Sequence, residues 1–158
     1  MILDDFLEFA EDVSVAAAAG TALIGDVVDL GSAARDIGNG DPLYLVIQTG
    51  SVEIITAGAA GTLKFQLVSD AQAAIATDGS ATVHYDTGTL VTDDAAANDS
   101  KFNVGGLIAV VALPMEGNVY ERYLGILAIT ATTTTTAGKI NAFLTRDVAK
   151  WKAYTDFT

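Results

Sequence analysis

Thr62-Leu63-Lys64-Phe65-Gln66-Leu67-Val68 is the stretch that decides the fold class. Leu63, Phe65 and Leu67 alternate with Thr62, Lys64 and Gln66. A period of two puts one set on a buried face and the other in water, which is the pattern of a half-buried strand. Lys64 and Gln66 are therefore expected outside and the three apolar side chains in a core.

Similar segments flank it. Val13–Ala19, Val27–Leu30, Leu43–Thr49, Ala81–Tyr85, Leu107–Leu113, Tyr120–Thr130 and Lys139–Thr145 read as further strands, most of them separated by Gly, Asn or Asp. The Ala-rich first of these also has helical propensity. Ile37-Gly38-Asn39-Gly40-Asp41-Pro42 is a turn, because Gly and Asn tolerate positive φ and proline cannot continue a central strand. The run Thr130–Gly138 reads as a hairpin loop and Asp93–Ser100 as a polar loop. Many short strands with turns at this spacing, and no long amphipathic helix to cross over a parallel sheet, predict an all-β fold. The expectation is one β-sandwich over 1–158, jelly-roll-like, with an N-terminal arm over 1–12 and a C-terminal tail over 148–158.

The 158 residues suit one domain with a real core. With 20 acidic and 8 basic residues the net charge is −12, a field that repels phosphate backbones and anionic lipid. Neither nucleic acid nor membrane is expected as a partner, while a basic protein surface would be attracted. Acidity also serves plain solubility. There is no cysteine, so disulfides and thiolate metal sites are excluded. The opening Met1-Ile2-Leu3-Asp4-Asp5-Phe6 lacks the basic segment of a signal peptide, and Leu107–Leu113 is far short of a membrane helix. The expected place is the cytoplasm or a particle assembled there.

Chemistry-bearing motifs are few. Asp86-Thr87-Gly88 matches the triplet of aspartic proteases, in which two carboxylates share a proton. Thr89 stands where those enzymes usually have Ala or Ser, and Asp-Thr-Gly is also good turn chemistry. Asp93, Asp94, Asn98 and Asp99 could offer oxygen ligands to calcium, but a solvated loop explains them as well. His84 is the lone histidine, which rules out a multi-histidine zinc site and suggests a strand residue facing solvent or a polar pocket. No cofactor, no metal and no catalytic residue are expected.

The ends carry apolar residues. Ile2, Leu3, Phe6 and Phe9 stand among Asp4, Asp5, Glu8, Glu11 and Asp12. Ile2, Phe6 and Phe9 fit a helical spacing, too short to be stable alone. The segment is either an arm for a partner surface or a strand on the chain's own sheet. Trp151 is expected to pack on its own domain. Tyr120 and Tyr123, three apart, would face opposite sides of a strand.

Several ordered segments are similar to the capsid cement, or decoration, proteins of short-tailed bacteriophages. They are Met1-Ile2-Leu3-Asp4 with Phe9; Val28-Asp29-Leu30-Gly31 leading to Ala34-Arg35-Asp36-Ile37-Gly38; Leu43-Tyr44; Glu121-Arg122-Tyr123-Leu124; and Ala142-Phe143-Leu144-Thr145-Arg146-Asp147-Val148 with Trp151, Ala153 and Tyr154. The stretch Ser51–Ser100 matches least. The resemblance implies a jelly-roll-like sandwich on the outer capsid shell, the major capsid protein as partner, copies paired as dimers, and no catalytic residue. Ile2, Leu3, Phe6 and Phe9 are the expected capsid anchors. A head fibre or tail protein is the competing virion role, and a protease using Asp86 the competing enzyme.

Overall fold

The computed structural model describes residues 5–31, 42–58, 60–91, 101–114 and 116–148. Eleven strands run β1 (Glu8–Ser14), β2 (Gly20–Asp29), β3 (Tyr44–Thr49), β4 (Ile55–Thr56), β5 (Thr62–Asp70), β6 (Thr82–Asp86), β7 (Leu90–Val91), β8 (Leu107–Ala112), β9 (Tyr123–Ala131), β10 (Thr135–Ala137) and β11 (Lys139–Thr145). A single 3-10 turn, Asp5–Leu7, precedes them. Among the described residues there is no α-helix, and no helix long and apolar enough to cross a membrane.

The strands form two large sheets. One has the order β1-β11-β3-β8, the other β2-β9-β5-β6 with β7 beside β5, and every pairing is antiparallel. The first long strand lies beside the last in one sheet, and β2 lies beside β9 in the other, a sandwich-like arrangement of antiparallel sheets. The pair β4–β10 closes one end.

The period of two in β5 holds. Leu63, Phe65 and Leu67 are fully buried, whereas Lys64 and Gln66 face outward. Leu63, Phe65 and Leu67 share one core with Leu124, Ile126 and Ala128 of β9, Ile24 and Val28 of β2, and from the opposite sheet Phe9, Leu45, Ile47, Ile140 and Leu144. Each such buried side chain contributes roughly 1.5–3 kcal/mol. A second small cluster of Val68, Ile75 and Leu127 covers the outer face of the β5–β9 sheet. Gly125 makes room for it, since a Cβ there would stand 2.5 Å from the Ile75 side chain.

Several expectations are corrected. The segment from Glu8 is strand, not arm, because its backbone pairs with β11 from Glu8↔Phe143 to Ser14↔Lys139. Residues Val13–Ala19 are not one strand: β1 ends at Ser14 and the chain turns a corner, with the Val15 and Ala17 amides bonded to the carbonyls of Gly138 and Thr135. The threonine run is not all loop, since Thr135–Ala137 extends against Ile55–Thr56. Thr135 is buried there with its hydroxyl 3.3 Å from that of Thr130. The long strand expected from Tyr120 begins at Tyr123. The tail from 149 onward, Trp151 included, the turn over 37–41 and the loop over 93–100 lie outside the described residues.

Candidate functional site

The expected anchors separate. Ile2 and Leu3 lie outside the described residues. Phe6, in the 3-10 turn, is 84% exposed, whereas Phe9 is 1% exposed and belongs to the core. The helical spacing that grouped them ends at Leu7; from Glu8 the chain is extended, and Phe9 falls on the inward face of β1. Phe9 is therefore withdrawn as an anchor, and Phe6 stays exposed.

Beside β1 lies a cleft of about 350 Å³, lined by Glu8, Phe9, Ala10, Glu11, Val13 and Asp26. It sits where both neighbouring strands are irregular. β1 breaks register between Ala10 and Val13, with Asp12 at φ +50°, and β2 breaks register between Ile24 and Val28. Gly25, at φ +64°, lies so close to the Phe9 carbonyl that a Cβ there would force the β1 backbone to shift. Glu8, Glu11 and Asp26 give the cleft an acidic lining, suited electrostatically to a basic group.

Asp12 locks the next step of β1. Its carboxylate accepts from Lys139 Nζ, the Ser51 amide and the Ser51 hydroxyl, each at 2.7 Å. Its own amide donates to Asn141 Oδ1 at 2.7 Å. These bonds, that of Lys139 first, hold the carboxyl down at a pKa of about 2. Asp29 is similar: Arg122 forms a bidentate pair with it at 2.9 and 2.8 Å, the Gly31 amide adds a bond, and its pKa is also held at about 2. Arg122 also lies 4.9 Å over the Tyr123 ring. Arg35 and Asp36 lie outside the described residues.

His84 occupies a polar pocket that no single segment announces. It stacks on Tyr120 with ring centroids 3.8 Å apart, and its Nε2 is 2.7 Å from Ser69 Oγ. Ser69 Oγ also accepts the Glu121 amide at 3.0 Å, and the Glu121 carboxylate takes the Thr82 hydroxyl at 2.8 Å. Tyr120 is buried, its hydroxyl donates to the Pro114 carbonyl, and burial pushes its pKa up to about 12. Burial lowers the His84 pKa against the opposing pull of the Glu121 charge. A Ser–His contact is nucleophile–base geometry. Here Ser69 is fully buried, and its hydroxyl knits β5, β6 and the entry to β9.

Asp86 is likewise engaged. It accepts from Gln66 Nε2 at 2.6 Å, Lys64 Nζ at 3.0 Å and the Gly88 amide at 2.7 Å. Partial burial raises its pKa, and these three bonds together more than reverse that. The Thr87 amide and hydroxyl bond the Phe65 backbone. The triplet works as a turn stapled to β5. Among the described residues no group of three acidic or histidine side chains is placed to hold a metal ion.

One feature carried no motif. The loop after β3 and the turn before β8 meet at one end of the sandwich, where the Ile54 amide bonds the Phe102 carbonyl and the Gly105 amide bonds that of Thr49. Val52, Ile55, Val104 and Leu107 are exposed there. For Val104 and Leu107 the signal in the sequence is the absence of charge from Phe102 to Pro114.

The family model described as Bbp16 matches residues 12–144, which is most of the chain. No curated protein matches it.

Proposed function

The chain belongs to the Bbp16 family, and from that premise we propose that it is a structural protein of a phage particle: a capsid cement protein that binds the outer surface of the head and ties neighbouring major capsid proteins together. The family match carries this reading, because it runs from Asp12 in the first strand to Leu144 in the last and so spans the whole sandwich. The cement resemblance of the segments from Met1 to Tyr154 supplies the role within that family.

The geometry suits such work. The sandwich offers rigid apolar contacts at separate places, Phe6 at the start of the chain and Val104 and Leu107 at the opposite end of the β1-β11-β3-β8 sheet. Apolar side chains held on a rigid frame lose little entropy on docking. The −12 charge steers the protein toward a basic outer face and away from packaged nucleic acid. Copies pair across local two-fold contacts, so that one clamp touches both sides of a subunit junction equally. The histidine, serine and aspartate that suggest catalysis are occupied in holding strands together.

The test is a head population assembled with and without the protein. Particles lacking it should assemble and then release their DNA at lower temperature, and adding the purified chain should restore the difference. Equal heat resistance would remove the cement function. Labelled protein found on the tail would make it another virion part.

A further inference from the structure

A sheet edge exposes a row of unpaired N–H and C=O groups, and proteins usually blunt it with charge, proline or bulges. Among the described residues the two large sheets have four edges. β1 carries Glu8, Glu11 and Asp12, β2 carries Asp26 and Asp29, and β6 carries Asp86. β8 carries no charge, nor does any residue from Phe102 to Pro114. The Leu113 amide bonds the Leu43 carbonyl, and the pairing continues through Val111↔Leu45 and Ala109↔Ile47. By antiparallel alternation, Ile108, Val110 and Ala112 turn their backbone groups the other way. Among the described residues no strand pairs with that outer edge. At its start the side chains of Val104 and Leu107 are 63% and 40% exposed.

We propose that the outer edge of β8 pairs with β8 of a second copy of this chain, antiparallel about a two-fold axis, joining the two sheets into one. The charge distribution chooses the occupant. Two copies at −12 repel over most of their surfaces. Self-pairing of β1 about its central Glu11 would set carboxylate against carboxylate, which destabilises a strand pair, and self-pairing of β2 or β6 would bring Asp26, Asp29 or Asp86 to the seam. β8 has nothing to repel, and an antiparallel strand meeting its own copy gives a closed two-fold contact by construction. Val104 and Leu107 add apolar area at the rim. The seam rests on the two-fold pairing of copies proposed above and states where it occurs.

Light scattering on the purified chain at about 100 µM, where a micromolar pair is largely formed, should give twice the 16.3 kDa chain mass. Val110→Pro removes an outward amide and no bond to β3, a substitution that edge strands tolerate. Leu107→Glu places a carboxylate at an already exposed position. Both should halve the mass with the far-ultraviolet dichroism of the sandwich retained, while Val83→Glu on β6 should leave the pair intact. A monomeric wild-type chain, or a pair that survives both β8 variants, overturns the seam. Heat tests on heads separate this from the cement reading. A monomer that still protects heads removes the seam alone, and a β8-dependent pair that protects nothing removes the cement role alone.

Discussion

Gly25→Ala should be the most informative single-atom change in the sandwich. The added Cβ would overlap the Phe9 carbonyl oxygen and lie 3.0 Å from its carbon and 3.2 Å from the Ala10 Cα. All three atoms are backbone, so relief requires β1 to withdraw from β2 by on the order of 1 Å, given a comfortable carbon–oxygen contact of about 3.3 Å. Overpacking of this kind costs about 1–3 kcal/mol. The φ of +64° adds about 1–2 kcal/mol for a residue with a side chain. Gly88→Ala is the matched control, since Gly88 has φ +74° and nothing within 4 Å of its Cβ position. It should bear only the φ cost. With a urea slope of about 2 kcal/mol/M, the Gly25 variant should unfold about 0.5–1.5 M earlier than the Gly88 variant. Coincident midpoints for the two would show that β1 yields freely, and the tight β1–β2 corner that shapes the acidic cleft would be wrong.

Phe65→Ala should cost about 3–5 kcal/mol by urea unfolding, whereas Lys64→Ala, which loses one partly exposed ion pair, should cost at most about 1 kcal/mol. Asp12 and Asp29 have folded pKa values of about 2, below the ordinary 3.8, so the unfolded chain binds protons first; their stabilisation is complete above about pH 4 and lost as pH falls toward 2. Asp12→Asn with Asp29→Asn should flatten the thermal midpoint across that window. His84 is also depressed in the fold, so stability should decline as pH drops below about 6.5, and its imidazole proton resonance should titrate below that value. On the proposed cement role, Asp86→Asn should leave protection of heads unchanged; a proteolytic activity lost with this variant, folding being equal, would reverse the structural assignment of the triplet.

How far the sequence carries depends on whether a feature is local. Lys139–Thr145 matches β11 to the residue, because Gly138 breaks the chain just before it and the apolar pattern lies within the segment itself. The alternation of β5 likewise needs no neighbour to be read. β4, β7 and β10 have two or three residues each, and such strands exist only through the partner they pair with. β2 begins in a stretch rich in Gly and Ala, whose own preference for extension is weak, so the sequence marks only its end from Val27. Phe9 was misplaced because Ile2, Phe6 and Phe9 have helical spacing, whereas pairing with β11 decides the backbone. The Ser69–His84 contact joins adjacent strands and depends on their register, which neither strand encodes alone. The apolar run of β8 is plain in the sequence; that it lies at an edge follows only from the order of the sheet.

The pairing of the first strand with the last sets a clock on folding. The Asp12 amide finds Asn141 across 129 residues of chain. At synthesis rates of about 5–20 residues per second, β1 waits on the order of ten seconds for its neighbour to be made. Closing so long a loop is slow even for a released chain, in the millisecond-to-second range of non-local β folds. Until β11 arrives, β3 lacks the neighbour on its other side and the β3–β8 pair stands without the rest of its sheet. The uncharged edge of β8 is thus made well before the sheet that carries it is complete, and it stands on a finished frame only once β11 has been added.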